Sequence, residues 1–235
     1  MGFGIGGYYL IGIVTFFVSL AVSGWLRATY GRWSNVANAS GLTGREVAEA
    51  ILRANNVTNV RVEATRGQLT DHYDPRSRVV RLSEGIYGRA SVAGMAVAAH
   101  EVGHALQHAR AYAPLQWRSA IAPVAGIGSQ LGMMLAVFGL FIGVGSQGGT
   151  PGGGTFLLEI GIVLFSAAVL FQIVTLPVEF DASRRALVQL KQLGLVTDRD
   201  RAGARSVLSA AALTYVAAAA TAIAYLLYFI AASRR

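Results

Sequence analysis

Residues 100–104 read His-Glu-Val-Gly-His, and this pattern of two histidines around a glutamate is typical of a zinc site. On a helix, His100 and His104 lie four positions apart on one face, so both imidazoles can bind one ion. Glu101 lies between them and can accept a proton from a water on the zinc ion, as the general base of a metalloprotease does. The chain has no cysteine, so we expect imidazole and carboxylate ligands rather than thiolates.

A catalytic zinc ion usually has three protein ligands and keeps its fourth position for water, so a further side chain is needed. His108 lies eight residues beyond the first histidine, about 12 Å along a straight helix, which is too far for a shared ion. Glu179 and Asp181 are the best candidates, and they lie about 200° apart around a helix, so only one can face the metal. Ser183 follows Glu179 by four positions and could support it by a hydrogen bond.

The elements that position these residues can be read from capping and periodicity. Residues 91–108 contain no proline and many alanines, and Ser91 is a plausible N-cap, so we predict a helix there. Thr43 and Glu46 form a capping-box pattern that opens a helix through about Ala54. The alternating segments 59–63 and 78–82 predict strands, and Thr70-Asp71-His72-Tyr73-Asp74-Pro75 between them predicts a turn.

The composition predicts a membrane protein. The chain has 235 residues, of which 54% are hydrophobic and 14% are charged, whereas charged residues make up about a quarter of an ordinary soluble domain. Residues 1–26 carry no charged side chain and predict an uncleaved first transmembrane helix. A signal peptide is the alternative, but it would have positive residues before its apolar core, and the first one here is Arg27, after it.

Further apolar stretches predict that the chain crosses the membrane four times in all. A run rich in glycine and proline at 146–154 divides the longest stretch into two helices. The predicted fold class is therefore a mainly α membrane protein of four transmembrane helices, with a small α+β catalytic unit that contains an antiparallel sheet; the resemblance given below implies that this unit is zincin-like. The predicted order is a first helix in 1–26, the catalytic unit in 27–118, a transmembrane hairpin in 119–177 with helices at about 120–145 and 155–177, a third-ligand helix and loop in 178–205, and a fourth helix with the C-terminus in 206–235.

The distribution of positive charge predicts the orientation. Segments 27–118 and 178–205 hold 18 of the 20 lysines and arginines, and four spans place these two segments on one side of the membrane. Cytoplasmic loops carry an excess of positive residues, so we expect the catalytic side in the cytoplasm, most naturally at the bacterial inner membrane. The same topology brings Glu179 to the side of His100 and His104, as a shared metal site requires. The arginines are scattered and no nucleic-acid motif is present, so we expect no nucleic-acid partner.

Four segments carry a resemblance to a known family: LTDHYDPRSRVVRLS (69–83), VAAHEVGHALQHA (97–109), PVEFDASRRAL (177–187) and AALTYVAAAA (211–220). They resemble the YugP-type family of bacterial membrane zinc metallopeptidases. The run EFDAS is also similar to the E-F-x-A-D pattern of the HtpX-like and CAAX prenyl protease group. In that pattern the leading glutamate is the third zinc ligand, which corresponds to Glu179, and the trailing aspartate is replaced here by Ser183. The resemblance implies a peptidase of the gluzincin type.

The sequence therefore predicts an integral membrane zinc endopeptidase with a lipid bilayer around it and a peptide or membrane protein as its substrate. His100, His104 and Glu179 would bind zinc, and Glu101 would act as the base. The strand near 78–82 is the predicted edge along which a substrate binds. His72, Tyr215 and Arg184 are all candidates for stabilising the oxyanion. His72 is also a possible ligand, although it is placed in the predicted turn.

Two other functions fit parts of this pattern. An intramembrane protease would cut within the bilayer, but only 11 uncharged residues separate Arg89 from Glu101, too few to span it. A non-enzymatic membrane scaffold stabilised by zinc would need the three ligands alone. Glu101 has no role in such a scaffold, so its presence favours an enzyme. The identity of the substrate and the oligomeric state are left open.

Overall fold

Helices make up most of this chain in its computed structural model, which describes residues 5–145 and 153–234. A small three-stranded sheet lies between the second and third helices. A π-helical turn, Gly128–Gly132, joins α5 to α6. The described elements are α1 (Ile5–Ser34), α2 (Gly44–Ala54), β1 (Arg61–Thr65), β2 (His72–Asp74), β3 (Val79–Ser83), α3 (Glu84–Tyr87), α4 (Val92–Ala109), α5 (Ala113–Ile127), α6 (Met133–Gly145), α7 (Gly153–Gln192) and α8 (Asp198–Ser233).

The chain divides into two compact units, and four of its described helices, α1, α5, α7 and α8, contribute residues to both. The apolar unit comprises the described parts of Met1–Ala21, Trp117–Leu176 and Thr214–Arg235. The sheet unit comprises Val22–Gln116 and Pro177–Leu213, and it contains the sheet, α4 and the second part of α7.

Four helical segments of the described chain are long and apolar enough to cross a membrane: Gly6–Ser34, Ala113–Ile142, Gly153–Gln192 and Asp198–Ser233. The prediction of four candidate spans is therefore confirmed by length and composition. Most of the predicted connection at 146–154 lies outside the described residues. In the apolar unit, Gly128 and Gly132 contact the backbone of Leu164 and Phe165 on α7, where a Cβ atom would clash. These glycines allow close helix packing within that unit.

Helix α7 differs from its prediction, because it continues through Pro177 instead of restarting there. A proline removes one helical hydrogen bond, but the packed face of α7 extends past it. Val178, Ala182, Ala186 and Leu190 are buried and recur every four residues, which is the spacing of one helix face. The helix ends before Gly194, which adopts a φ of 64°, and the Leu195 amide donates to the Leu190 carbonyl, as in a Schellman motif.

The sheet corrects three of the predictions. Its order is β1-β3-β2, and β3 pairs in parallel with β1 and antiparallel with β2. The sheet is therefore mixed and not antiparallel, and β3 is its central strand and not an edge. The predicted turn at 70–75 instead contains β2, in which Tyr73 pairs with Val80. Alternation identifies which segments are extended, but it does not say which strands are neighbours.

Helix α4 lies in the core of the sheet unit and is buried over most of its length. Its apolar residues pack in one cluster with side chains of α2, β3, α7 and α8. The predicted capping box at Thr43 and Glu46 is present, with the Glu46 carboxylate 2.8 Å from the Thr43 amide. The predicted cap of α4 is also confirmed, because Ser91 Oγ accepts from the Gly94 amide at 3.0 Å. The N-cap at Ser91 and the packing of the apolar residues together fix the position and the rotation of α4.

Candidate metal centre

The pattern His100-Glu101-Val102-Gly103-His104 lies in the middle of α4. The centroids of the two imidazole rings are 4.8 Å apart and the rings are nearly perpendicular, with an angle of 85°. This arrangement is expected from two histidines one helical turn apart on one face. Both side chains are largely buried, so they contact protein groups rather than bulk water.

Helix α7 brings the carboxylate to this pair through a close backbone contact. A Cβ atom on Gly103 would lie 2.6 Å from the carbonyl oxygen of Ala182 on α7. Only a residue without a side chain can be placed there, so Gly103 allows the two helices to touch. Glu179 precedes Ala182 by three residues, on the same face of α7, and is only 3% exposed.

The three side chains converge through single atoms. Glu179 Oε2 lies 3.3 Å from His100 Nε2 and 3.6 Å from His104 Nε2. One ligand atom from each residue lies within 4.8 Å of the other two. Two ligands of a tetrahedral zinc ion, each bound at about 2.05 Å, are roughly 3.3 Å apart. The donor set of two imidazoles and one carboxylate therefore fits zinc by chemistry and by the separation of its atoms.

The remaining ring nitrogens of both histidines have hydrogen-bond partners. His100 Nδ1 lies 3.1 Å from Ser183 Oγ, and His104 Nδ1 lies 3.0 Å from Gln107 Oε1. Such bonds orient an imidazole and leave Nε2 for a metal. Ser183 was predicted to support Glu179, and the hydrogen bond described here joins it to a histidine.

The surroundings of His104 favour positive charge. Burial alone would lower the pKa of its imidazole, but the hydrogen bond and negative charge of Glu179, together with the charge of Glu101, raise this pKa above its ordinary value. A buried position whose surroundings favour a proton also suits a metal cation, which takes the place of the proton.

Glu101 is 8% exposed and follows His100 directly on α4. It lies about 60° from His104 around the helix, so its side chain starts beside the two imidazoles and not among them. Its role as a general base stays a prediction.

Asp181 does not point toward the imidazoles. Its carboxylate forms ion pairs with Arg184 and Arg185 and accepts a hydrogen bond from Gln107 at 3.0 Å. The geometry of α7 thus gives the two neighbouring carboxylates different partners, as their angular separation predicts. Arg184 is paired with Asp181, and its predicted contact with a substrate oxyanion stays a prediction.

The other predicted residues are not part of the described cluster of three candidate ligands. His72 is exposed on β2, where its Nδ1 lies 2.8 Å from the carbonyl oxygen of Thr70. His108 lies one turn beyond His104, and its Nδ1 is 2.8 Å from the hydroxyl of Tyr73. Tyr215 belongs to the apolar unit. Roles for His72 and Tyr215 with a substrate stay predictions.

Gln107 is a residue of the site that was not predicted from the sequence. This residue is fully buried on α4, and its amide contacts both His104 and α7. Its position three residues after a ligand, on the ligand face of the helix, is the signal that could have identified it.

Two comparisons with known proteins gave matches to this chain. A family model described as "Putative neutral zinc metallopeptidase" matches residues 8–234. The "Putative membrane protease YugP" of Bacillus subtilis (strain 168) is 44% identical over 216 residues, which cover 90% of this chain and 92% of the relative. No solved structure matches the chain.

Proposed function

Because this chain belongs to the family of neutral zinc metallopeptidases, we propose that it is an integral membrane zinc endopeptidase of the gluzincin type. The observation that carries the proposal is the convergence of His100, His104 and Glu179 within 4.8 Å on two packed helices. The pattern His-Glu-x-x-His on α4 supplies two of these ligands together with an adjacent carboxylate. A zincin-like arrangement of helix, sheet and third-ligand helix is part of the same proposal.

Each residue has a distinct task in the proposed reaction. His100 and His104 would hold the ion through Nε2, and Glu179 would hold it through its carboxylate. When bound, zinc polarises the scissile carbonyl and lowers the pKa of a water molecule. The Glu101 carboxylate would take the proton of the attacking water and deliver it to the nitrogen of the leaving amine. Ser183 and Gln107 would keep the two imidazoles oriented.

The substrate is proposed to bind along β2. This strand is an edge of the sheet, so one side of its backbone can pair with an extended peptide. A cavity of about 410 Å³ lies beside β2 and α4, and Tyr73, Ala105 and His108 contribute to its lining. Ala105 and His108 lie on the same helix face as Glu101, one to two turns further along α4. The cavity can therefore receive a side chain of a peptide whose bond lies at Glu101.

The catalytic side is proposed to face the cytoplasm of a bacterial cell. Segments 27–118 and 178–205, which contain α4 and the end of α7, hold 18 of the 20 lysines and arginines. Segments rich in positive charge usually stay on the cytoplasmic side of the membrane. The substrate would then be a peptide or membrane protein within reach of the cytoplasmic surface.

The test is metal-dependent hydrolysis by the purified full-length protein in detergent. We expect about one zinc per chain, cleavage of an unstructured polypeptide, loss of cleavage with a chelator and recovery on adding zinc. A protein that carries its zinc but cleaves no polypeptide under these conditions would favour the scaffold and contradict the proposal.

A further inference from the structure

The polar side chain of Gln107 has no exposed surface, and both its NH₂ group and its amide oxygen form hydrogen bonds. Its Nε2 donates to the carbonyl oxygen of Val178 at 2.8 Å and to Asp181 Oδ2 at 3.0 Å. Its Oε1 lies 3.0 Å from His104 Nδ1. A buried amide is stabilising only when its donors and acceptors are paired, so this residue has a defined place in the network.

The partners of Gln107 fix the direction of its amide. The Val178 carbonyl and the Asp181 carboxylate only accept hydrogen bonds, so the NH₂ group must face α7. The amide oxygen then faces His104. An acceptor at that position requires a proton on His104 Nδ1, which leaves the lone pair of the neutral ring on Nε2.

We propose that Gln107 is a positioning residue of the metal centre, which sets the tautomer of His104 so that Nε2 is its metal-binding nitrogen. The inference rests on the proposed zinc function of the same site. It adds a chain of contacts that runs from His104 through Gln107 to Asp181. Since Val178 and Asp181 flank Glu179 on α7, the same amide also ties the helix of the third ligand to the helix of the two histidines.

Asp181 helps to prevent a flip of the Gln107 amide. Its carboxylate is held by Arg184 and Arg185, so it remains an acceptor in a fixed position. A flipped Gln107 would place its oxygen against this carboxylate and the Val178 carbonyl, and its NH₂ group against the ring. Two contacts between acceptors would replace the two hydrogen bonds to α7, and His104 would have to carry its proton on Nε2 to accept from the NH₂ group.

The hydrogen bond between His100 and Ser183 does not fix a tautomer in this way. The Ser183 hydroxyl can either donate or accept, so it stabilises either tautomer of His100. Replacing Ser183 should therefore weaken the orientation of one ring without changing which nitrogen of His104 carries the proton. This difference provides a control within the same site.

The first experiment uses the full-length protein in detergent with ¹⁵N-labelled histidine. The chain has only four histidines, so each ring can be assigned by substitution. In metal-free protein that also carries Glu179→Ala, which removes the carboxylate beside His104 Nε2, and at a pH where all four rings are neutral, we expect His104 to be the Nδ1–H tautomer. In the same background, Gln107→Met should produce a mixture of tautomers at His104, whereas Ser183→Ala should leave His104 unchanged. An unchanged His104 tautomer in Gln107→Met would overturn the inference.

Zinc affinity is the second measurement, made by competition with a chelator. Losing the outer partner of a metal-binding histidine typically lowers affinity about 10–100-fold, and we expect this loss for Gln107→Met. Gln189→Met is the matched control, because Gln189 is a glutamine on α7 whose partly buried side chain accepts a hydrogen bond from Asn55, outside the site. An affinity for Gln107→Met within about twofold of the native protein would contradict the inference.

A double substitution keeps the test decisive if Gln107→Met does not fold. Gln107→Glu alone places two carboxylates against each other, so zinc affinity should fall by more than tenfold. Adding Asp181→Asn returns a donor to that contact, and the introduced carboxylate still accepts from His104 Nδ1, so we expect most of the affinity to recover. The Val178 carbonyl loses its partner in both variants, so the comparison isolates the contact between positions 107 and 181. The inference is contradicted if the double variant Gln107→Glu/Asp181→Asn binds zinc no better than Gln107→Glu alone.

These readouts separate the inference from the proposed function. Neither the tautomer of His104 nor the affinity for zinc requires peptidase activity. The expected tautomer and zinc affinities, without hydrolysis by the native protein, would contradict the proposed function alone.

Discussion

Gly103 and Ala182 touch through their backbones, and this contact sets the distance between the two helices that carry the candidate metal ligands. A Cβ atom at position 103 would approach the Ala182 carbonyl oxygen to 2.6 Å, which is closer than real side chains come. Glu179 lies one helical turn before Ala182, and His100 and His104 lie on either side of Gly103. Gly103, inside the motif, therefore determines how closely Glu179 can approach the two histidines.

We expect Gly103→Ala to lower zinc affinity by at least tenfold. The added methyl group must push α7 away from α4, which moves Glu179 from the two imidazoles, and overpacking of this kind typically destabilises by about 1–3 kcal/mol. Chelator competition and thermal unfolding would measure the two effects. Gly85→Ala is the control, since nothing lies within 4 Å of a Cβ atom there, and it should leave both properties unchanged. Equal behaviour of the two variants would show that the helix contact does not set the site.

Glu101→Gln should retain zinc and lose hydrolysis. The substitution removes a proton acceptor of the same shape and no ligand, and general-base catalysis contributes about 10²–10⁴-fold to rate. Metal content and the rate of polypeptide cleavage would be measured on the same sample. Glu84→Gln changes an exposed carboxylate on α3 and should have native activity. Unchanged peptidase activity in Glu101→Gln would refute the proposed mechanism.

Glu179→Ala and Asp181→Ala should differ in their effect on zinc. Removing Glu179 leaves two imidazoles, so we expect zinc to be lost to mild chelation, a larger effect than the 10–100-fold typical of outer partners. Removing Asp181 leaves all three ligands, so this variant should keep its zinc and part of its activity, with a smaller loss of affinity through Gln107. The assignment of the third ligand is wrong if Asp181→Ala loses the metal while Glu179→Ala retains it.

Reporter fusions should place the site on the cytoplasmic side. A fusion near residue 66 lies between β1 and β2, in the segment rich in positive charge, and should report the cytoplasm. Fusions at 146–154 and at the C-terminus should both report the opposite side. The reverse pattern would place the candidate metal centre outside the cell and overturn the proposed location.

Local signals in the sequence were sufficient for the elements that carry chemistry. Ser91 begins α4 by a hydrogen bond to its own first turn, and the spacing of His100 and His104 defines one helix face, so neither depends on distant residues. The apolar stretches predicted four candidate spans because length and composition are properties of each helix alone.

Features that depend on distant partners could not be predicted in this way. The strand β2 has only three residues in a run rich in turn formers, and its pairing with β3 stabilises it. Pro177 reads as a helix start, but the buried face from Val178 onward carries α7 through it. The spacing of Gln107 from His104 places it on the same face of α4, but its hydrogen bonds to Val178 and Asp181 depend on the packing of α7 and could not be predicted from that spacing.

The contact between His100 and Ser183 joins residues 83 positions apart in the chain. A ribosome makes α4 well before it makes α7, since synthesis proceeds from the N-terminus. A nascent chain that ends before Glu179 thus has two of the three ligands and the glutamate, but not a complete metal site. The proposed peptidase, assembled in this order, would be inert during its own translation, when unfolded segments of the same chain are its nearest potential substrates.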